Sequence, residues 1–201
     1  MTDRFEGRPW RKSAPIETRR LVLRDFTFDD VARTALYAGD PAVARMMAPV
    51  PLPFTEAHAS AFIGDVLASN ALGGGLGLAV ARKREPDALI GTVTFAGEGA
   101  AVEIGWWFGR AFWGKGFATE AVMALIDVAF QAPHLETIVA GAFADNPASL
   151  RVHEKLGFRI IGHSRRTSAA RGCAVDHIDM ALTRADWQAR QSSASEGTSG
   201  A

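Results

Sequence analysis

The segment Glu103-Ile-Gly-Trp-Trp-Phe-Gly-Arg-Ala-Phe-Trp-Gly-Lys-Gly-Phe-Ala-Thr-Glu120 reads as a strand, a glycine-punctuated turn and the start of a helix. Residues Ala101 to Phe108 are apolar or aromatic except for one carboxylate, Glu103. Gly114 and Gly116 bracket Lys115, and Ala121 to Phe130 is then apolar on nearly every face, the pattern of a helix buried on most sides. A glycine turn feeding a helix N-terminus leaves backbone N–H groups aimed at one spot. With the helix dipole they form an anion site, usually for phosphate.

Outward from this segment the chain alternates short strands and helices. Leu76–Arg82, Leu89–Phe95 and Ala101–Phe108 form three strands joined by tight turns, an antiparallel meander. A helix over 117–131 followed by a strand from Thr137 to Ala142 makes a crossover, so the strands on either side of it are parallel. Thr18 to Arg24 is an earlier strand. Val31–Tyr37 and a segment opened by Thr55 with His58 three residues later are helices, the second ending near Asn70. Asn146-Pro-Ala-Ser149 opens a further helix that Gly157 closes. Phe158–His163 and Ala174–Leu182 are the last strands, joined by a polar connection over 165–172, and Thr183–Arg190 is a short helix. The expectation is one α+β domain over 16–190, with about seven strands, mostly antiparallel, and about four helices. A mobile arm over 1–15 precedes it and a disordered Ser/Gly-rich tail over 191–201 follows.

Composition narrows the function. The chain has 201 residues, 48% hydrophobic, with 22 Lys+Arg against 22 Asp+Glu. Zero net charge argues against a general nucleic-acid or membrane-surface binder. A single cysteine, Cys173, excludes an internal disulfide and a cysteine-clustered zinc site. No apolar run approaches the roughly 20 residues of a membrane helix. A cytoplasmic protein without a metal is the expectation.

Two familiar phosphate loops nearly fit and fail. Gly109-x4-Gly114-Lys115 matches a Walker A loop until Gly116 stands where a Ser/Thr would hold magnesium. Gly114-x-Gly116 lacks a small third residue at position 119, which is Thr119. An anion site without the parts for ATP chemistry favours phosphate used as a handle, as in coenzyme A.

Trp113-Gly-Lys-Gly-Phe-Ala118 resembles the pyrophosphate loop of the GNAT family of N-acetyltransferases. Gly116 and Ala118 match its Gln/Arg-x-x-Gly-x-Gly/Ala pattern, while Trp113 stands in place of Gln/Arg. That tryptophan, with Glu103-Ile-Gly-Trp106, resembles the ribosomal-protein (RimJ/RimL-like) branch. So do Thr18-Arg-Arg-Leu-Val-Leu-Arg24 with Asp40-Pro41, Asn146-Pro-Ala-Ser149 through Gly157-Phe158, and Asp176-His177 with Trp187.

The resemblance implies a sheet splayed at its central parallel pair, 101–108 and 137–142, with acetyl-CoA in the opening. The amides from Gly114 through Lys115, Gly116, Phe117 and Ala118, extended to Thr119, would hold its pyrophosphate beside Trp113. Lys115 would add a charge or stay solvated. The strand edge at Trp107 and Phe108 would bond the pantetheine and polarise the thioester carbonyl. Asn146 would bond the pantetheine amides, cap its helix, or both. Glu103 is the candidate base acting through water, since an acid inside an apolar strand needs a reason; the alternative is a paired structural carboxylate. For the acid, many members place a tyrosine where this chain has His153, and Tyr37 lies far off. Ser149 is the first candidate acid and His153, on the same helical face, the second. Ser149 would also touch the cofactor.

A protein N-terminal α-amine is the first substrate reading. Its ordinary pKa of about 8 leaves roughly a tenth neutral at pH 7, against fewer than one lysine in about a thousand. The alternatives are a small amine (aminoglycoside, polyamine or amino acid) and a non-catalytic acyl-CoA-binding module. Acceptor walls are expected near 40–60 and 163–175, apolar at Met46, Met47, Pro49 and Phe54. Arg165, Arg166 and Arg171 would attract an acidic partner or form a solvated loop. The family expectation for assembly is a homodimer.

Overall fold

The computed structural model describes residues 15–97 and 99–198. Residues 1–14 of the expected arm, and 199–201 of the expected tail, lie outside the described residues. Eight strands form one sheet in the order β1-β2-β3-β4-β5-β6-β8-β7. They are β1 (Ile16–Glu17), β2 (Leu21–Arg24), β3 (Gly75–Arg82), β4 (Glu85–Ala96), β5 (Ala101–Phe108), β6 (Thr137–Phe143), β7 (Arg159–Ser168) and β8 (Cys173–Thr183). Every neighbouring pair is antiparallel except β5 and β6, the pair linked by a helical crossover.

That parallel pairing is short. It joins Ala101 to Thr137, Val102 to Ile138 and Glu103 to Val139, and then stops. Both strands continue, β5 to Phe108 along β4 and β6 to Phe143 along β8. The sheet therefore forks after Glu103. Among the described residues, backbone amides along the inner edges of the fork have no strand opposite them, which opens the cleft that the resemblance implies.

Helices cover both faces. On one lie α4 (Phe117–Ala129), α5 (Pro147–Leu156) and α6 (Arg184–Thr198); on the other lie α1 (Val31–Ala38) and α3 (Glu56–Leu72), with the single turn α2 (Pro41–Ala44) between them. The larger core sets Val102, Ile104, Ile138, Ala140 and Met180 of the sheet against Val122, Leu125 and Ile126 of α4 and Leu156 of α5. Leu125 is fully buried, and such a side chain cut to alanine costs about 2–5 kcal/mol. The smaller core packs Phe26, Ile63, Ala79 and Leu89 with Tyr37, Phe62 and Trp107. Alternation along β5 thus sends Trp106 to one core and Trp107 to the other.

Local signals place the helix ends. Thr55 and His58 form a reciprocal cap at the start of α3. Asn146 caps α5 with Pro147 in its first turn, and Gly157, at φ 86, ends it. Several boundaries differ from the sequence reading; the first expected strand, for example, starts at Leu21 rather than Thr18. The tight turn expected between Arg82 and Leu89 is shorter than that span: the chain reverses over residues 83–84, and Glu85 to Ala88 belong to β4. The polar connection expected over 165–172 is mostly strand: β7 runs to Ser168. Most of its side chains are exposed on both faces of the sheet, so no apolar alternation marks it as a strand. The last helix runs to Thr198 rather than closing at Arg190. No helix among the described residues is long and apolar enough to cross a membrane.

Candidate active site

The turn before α4 has the backbone that its glycines require. Gly114 sits at φ 71 and Gly116 at φ 75, the left-handed region that a side chain disfavours by about 1–2 kcal/mol. Gly116 is the N-cap of α4, with no side chain capping the helix. The first intrahelical bond runs from Glu120 N–H to the Gly116 carbonyl at 3.1 Å. The amides of Phe117, Ala118 and Thr119 therefore lack intrahelical partners and point out of the helix end, an arrangement suited to an anion.

Other groups hold this loop. Trp113 Nε1 donates to the Phe108 carbonyl at 2.7 Å, tying the turn to the end of β5. Lys115 Nζ folds back onto the Ala111 carbonyl at 2.9 Å, so its charge serves the loop itself. Arg20 sits between the loop and the helix. Its Nη1 donates to the Lys115 carbonyl at 3.0 Å, its Nε to Glu120 Oε2 at 2.6 Å, and its guanidinium lies 4.7 Å from the centre of the Phe117 ring. Thr18 Oγ1 and the Arg20 backbone N–H also reach Glu120, at 2.6 and 2.7 Å. Burial tends to raise the Glu120 pKa, but the hydrogen bonds from Thr18 and Arg20 outweigh it and hold the pKa below its ordinary value. The sequence reading used Thr18 and Arg20 as part of a strand and of the resemblance, with no role at this loop.

Hydrogen-bond parity identifies the cleft edge. Gly109 N–H bonds the Ile90 carbonyl, so the odd residues of β5 turn their main chain toward β4. The even residues Ile104, Trp106 and Phe108 turn theirs into the fork. Trp107 spends its main chain on β4, so Trp106 replaces it as the residue offering backbone groups to the cleft. On β6, Ala144 N–H bonds the Asp176 carbonyl, so Gly141 and Phe143 turn their main chain into the fork from the other side.

The α5 residues divide by role. Asn146 Oδ1 accepts from Ser149 N–H at 3.1 Å, the cap expected of it. Ser149 is half-buried, and its Oγ makes no hydrogen bond to a described residue. His153 is 1% exposed, between Trp106 (ring centres 4.6 Å apart) and Phe158 (5.3 Å). Its Nδ1 bonds the Ser149 carbonyl at 2.8 Å. A carbonyl only accepts, so Nδ1 carries the proton and buried Nε2, which has no partner among the described residues, carries a lone pair. Burial pushes the His153 pKa down to about 4. Neutral at pH 7, with its one N–H committed to a carbonyl, His153 is poorly suited to donate a proton.

Glu103 departs most from expectation. Its side chain is 58% exposed rather than sealed in an apolar strand, and Oε1 pairs with Arg166 Nη1 at 3.3 Å. The physical reason is the side-chain alternation of β5: Val102 and Ile104 face the α4 core while Glu103 faces the opposite side. Arg166 Nη2 also reaches Asp179 Oδ1 at 3.4 Å. Arg165 and Arg171 of that hairpin are engaged as well. Arg165 pairs with Asp176 at 3.3 Å, and Arg171 grips Asp145 at 2.8 and 3.1 Å while its Nε bonds the Arg45 carbonyl at 2.8 Å. Arg171 thereby docks the β7–β8 turn onto the segment after α2, beside Met46. Among the described residues, no cluster of three His, Cys, Asp or Glu is placed to hold a metal ion.

A forked parallel pair leading to an uncapped helix N-terminus defines the class, and the sequence comparisons agree with it. The acetyltransferase (GNAT) domain profile matches residues 20–159. The chain belongs to that family and is an N-acetyltransferase of the GNAT type. The protein p20 of Bacillus licheniformis, described as an uncharacterized N-acetyltransferase, is 31% identical over 173 residues, covering 85% of this chain and 96% of its own. Among solved structures, Mycobacterium smegmatis RimJ in complex with CoA-disulfide superposes with a TM-score of 0.71 at 23% identity, covering 83% of both chains. RimL, a ribosomal α-N-protein acetyltransferase in complex with coenzyme A, superposes at 0.72 and 19%, covering 83% of this chain and 95% of its own.

Proposed function

We propose that this chain transfers the acetyl group of acetyl-CoA to a primary amine, with a protein N-terminal α-amine as the favoured acceptor. The observation that carries the reading is the fork itself: its open edges end at the free amides of α4, so one extended thioester can span both. Phe117, Ala118 and Thr119 amides, with the Gly114–Gly116 turn, would hold the pyrophosphate. Trp106 and Phe108 amides on one side, and Gly141 on the other, would meet the pantetheine and the thioester carbonyl. Asn146 keeps its Nδ2 for the same arm while Oδ1 caps α5. Ser149, whose Oγ is unengaged, is the proposed donor to the departing thiolate; the tautomer of His153 favours Ser149 over it. Glu103 at the apex of the fork was the base inferred from the sequence, and its pairing with Arg166, of the hairpin that this reading makes an acceptor wall, supports keeping it as a candidate.

The N-terminal acceptor is supported by amine chemistry and by structural likeness to RimJ and RimL. An α-amine is neutral often enough at pH 7 that a modest base suffices. The hairpin arginines are spent on internal partners, so attraction of an acidic acceptor is not part of the proposal. The test is thiol release from acetyl-CoA against N-terminal peptides, aminoglycosides, polyamines and amino acids, with acetyl-CoA binding measured alongside. Turnover on peptides alone supports the reading; turnover on a small amine alone replaces the acceptor; binding without turnover on any amine favours a non-catalytic acyl-CoA module.

A further inference from the structure

A polar cluster on the acceptor-side face of the sheet has no part in the scheme above. His177 on β8 is 7% exposed. Its Nδ1 lies 2.9 Å from Asp179 Oδ1, two residues on along the same strand face. Hydrogen bonds and the Arg166 cation hold the Asp179 carboxyl below its usual pKa, so it is ionised at pH 7. An ionised carboxylate only accepts, which fixes the proton of His177 on Nδ1 and leaves a lone pair on Nε2. Nε2 makes no hydrogen bond to a described residue and is not among the sealed polar atoms.

The ring lies over Gly141. A Cβ built there would stand 2.1 Å from His177 Cε1 and 2.9 Å from Nε2. Gly141 is one of the two β6 residues whose main chain faces the fork, and its missing side chain admits the imidazole to the lip of the cleft. Phe143 meets the ring edge-on, with centres 5.9 Å apart. We infer that His177, oriented by Asp179, takes the proton from the acceptor amine. The inference rests on the acetyl-transfer reading above and replaces Glu103 in the role of base.

The charges around His177 fit this role. Arg166 on β7 bridges Asp179 and Glu103 of β5, and His153 stands on the other side of the sheet. Burial, helped by Arg166, keeps the imidazole neutral at pH 7 against the pull of Asp179 and Glu103. Glu103 and Asp179 together leave Arg166 balanced, so an ammonium group approaching this face meets no uncompensated cation.

The step balances. The ammonium R–NH3+ gives one proton to Nε2. The amine lone pair forms the C–N bond at the thioester carbon as the C=O pair moves onto oxygen. Collapse breaks the C–S bond, and the surplus proton on nitrogen passes to the thiolate through Ser149 Oγ. The imidazolium returns its proton to solvent, so the net products are the amide, the free thiol and one H+.

The test combines spectroscopy with kinetics on the full chain. Nitrogen-15 NMR of the His177 ring at pH 7 is expected to show the Nδ1–H tautomer, and an Nε2–H tautomer overturns the proposal without reference to any acceptor. With whichever panel amine the wild type acetylates, His177→Gln is expected to lower kcat/KM about 100-fold or more at pH 7. Its acetyl-CoA Kd stays unchanged, and its rate then rises about tenfold per pH unit as free amine becomes available. Asp179→Asn, which leaves the ring in place, is expected to fall in the same direction. Wild-type turnover in both variants, with Glu103→Gln inactive, returns the role to Glu103. If the wild type binds acetyl-CoA but acetylates no amine, the functional reading fails, and the tautomer still decides whether the ring is built as a base.

Discussion

Replacing Arg20 with alanine tests whether the anion loop is held from outside the loop. The substitution removes the bond to the Lys115 carbonyl, the ion pair with Glu120 and the stacking on Phe117. The guanidinium is about a third exposed, with 36% of the side chain accessible. At that exposure the ion pair is worth no more than about 1 kcal/mol. The carbonyl bond adds about 1 kcal/mol and the cation–π contact about 0.5–1. The stability loss should therefore be roughly 1–3 kcal/mol, read as a lower urea midpoint.

Binding should suffer separately, because Glu120 would be left as an uncompensated carboxylate in the first turn of α4, where the phosphates are proposed to sit. A tenfold weaker Kd for acetyl-CoA corresponds to about 1.4 kcal/mol, a reasonable share for one unbalanced charge in partly exposed surroundings. Calorimetric titration with acetyl-CoA gives the number. Arg20→Ala combined with Glu120→Gln should recover much of that affinity while staying less stable than the wild type. An unchanged Kd in Arg20→Ala, or no recovery in the double variant, would refute the electrostatic part of the reasoning.

The remaining predictions concern other elements. Gly116→Ala forces a side chain into φ 75, so it should lose about 1 kcal/mol of stability and bind acetyl-CoA more weakly as the turn relaxes; full affinity would remove the phosphate-loop assignment. Gly64 lies inside α3 with nothing within 4 Å of an added Cβ, and Gly64→Ala should stabilise the fold by about 0.5–1 kcal/mol in thermal melts. His153 has its pKa lowered from 6.5 to about 4, so the stabilising difference is fully present above pH 6.5 and is lost as pH falls toward 4. That difference, about 3 kcal/mol for a move from 6.5 to about 4, should be missing from the pH dependence of His153→Leu measured by urea unfolding. His177, also lowered, contributes in the same window to both proteins, and the lowered carboxyls of Glu120, Asp145, Asp179 and Asp186 contribute to both alike as pH falls through the carboxylate range, so the difference between the two curves isolates His153.

What the sequence determined was set by local rules. Glycines at 114 and 116 can take a positive φ that other residues avoid, so the turn into α4 was legible from their spacing. Asn146 with Pro147, and Thr55 with His58, announce helix starts through bonds spanning only three residues. The apolar run of α4 required a crossover, and with it the parallel pair. What the tertiary structure decided depends on strand register, which no single segment carries. Glu103 looked buried because its neighbours are apolar, but the alternation of β5 turns it to the open face, where Arg166 reaches it from a strand 63 residues on. Pairing parity, visible only once β4 is laid beside β5, moves the cleft-lining backbone from Trp107 to Trp106. Residues 165–168 looked like a loop because most of β7 is exposed on both faces of the sheet, which leaves no apolar alternation to read. His177 and Gly141 are separated in the sequence and meet because β6 and β8 pair in one register, the same reason that a candidate base escaped a reading of motifs.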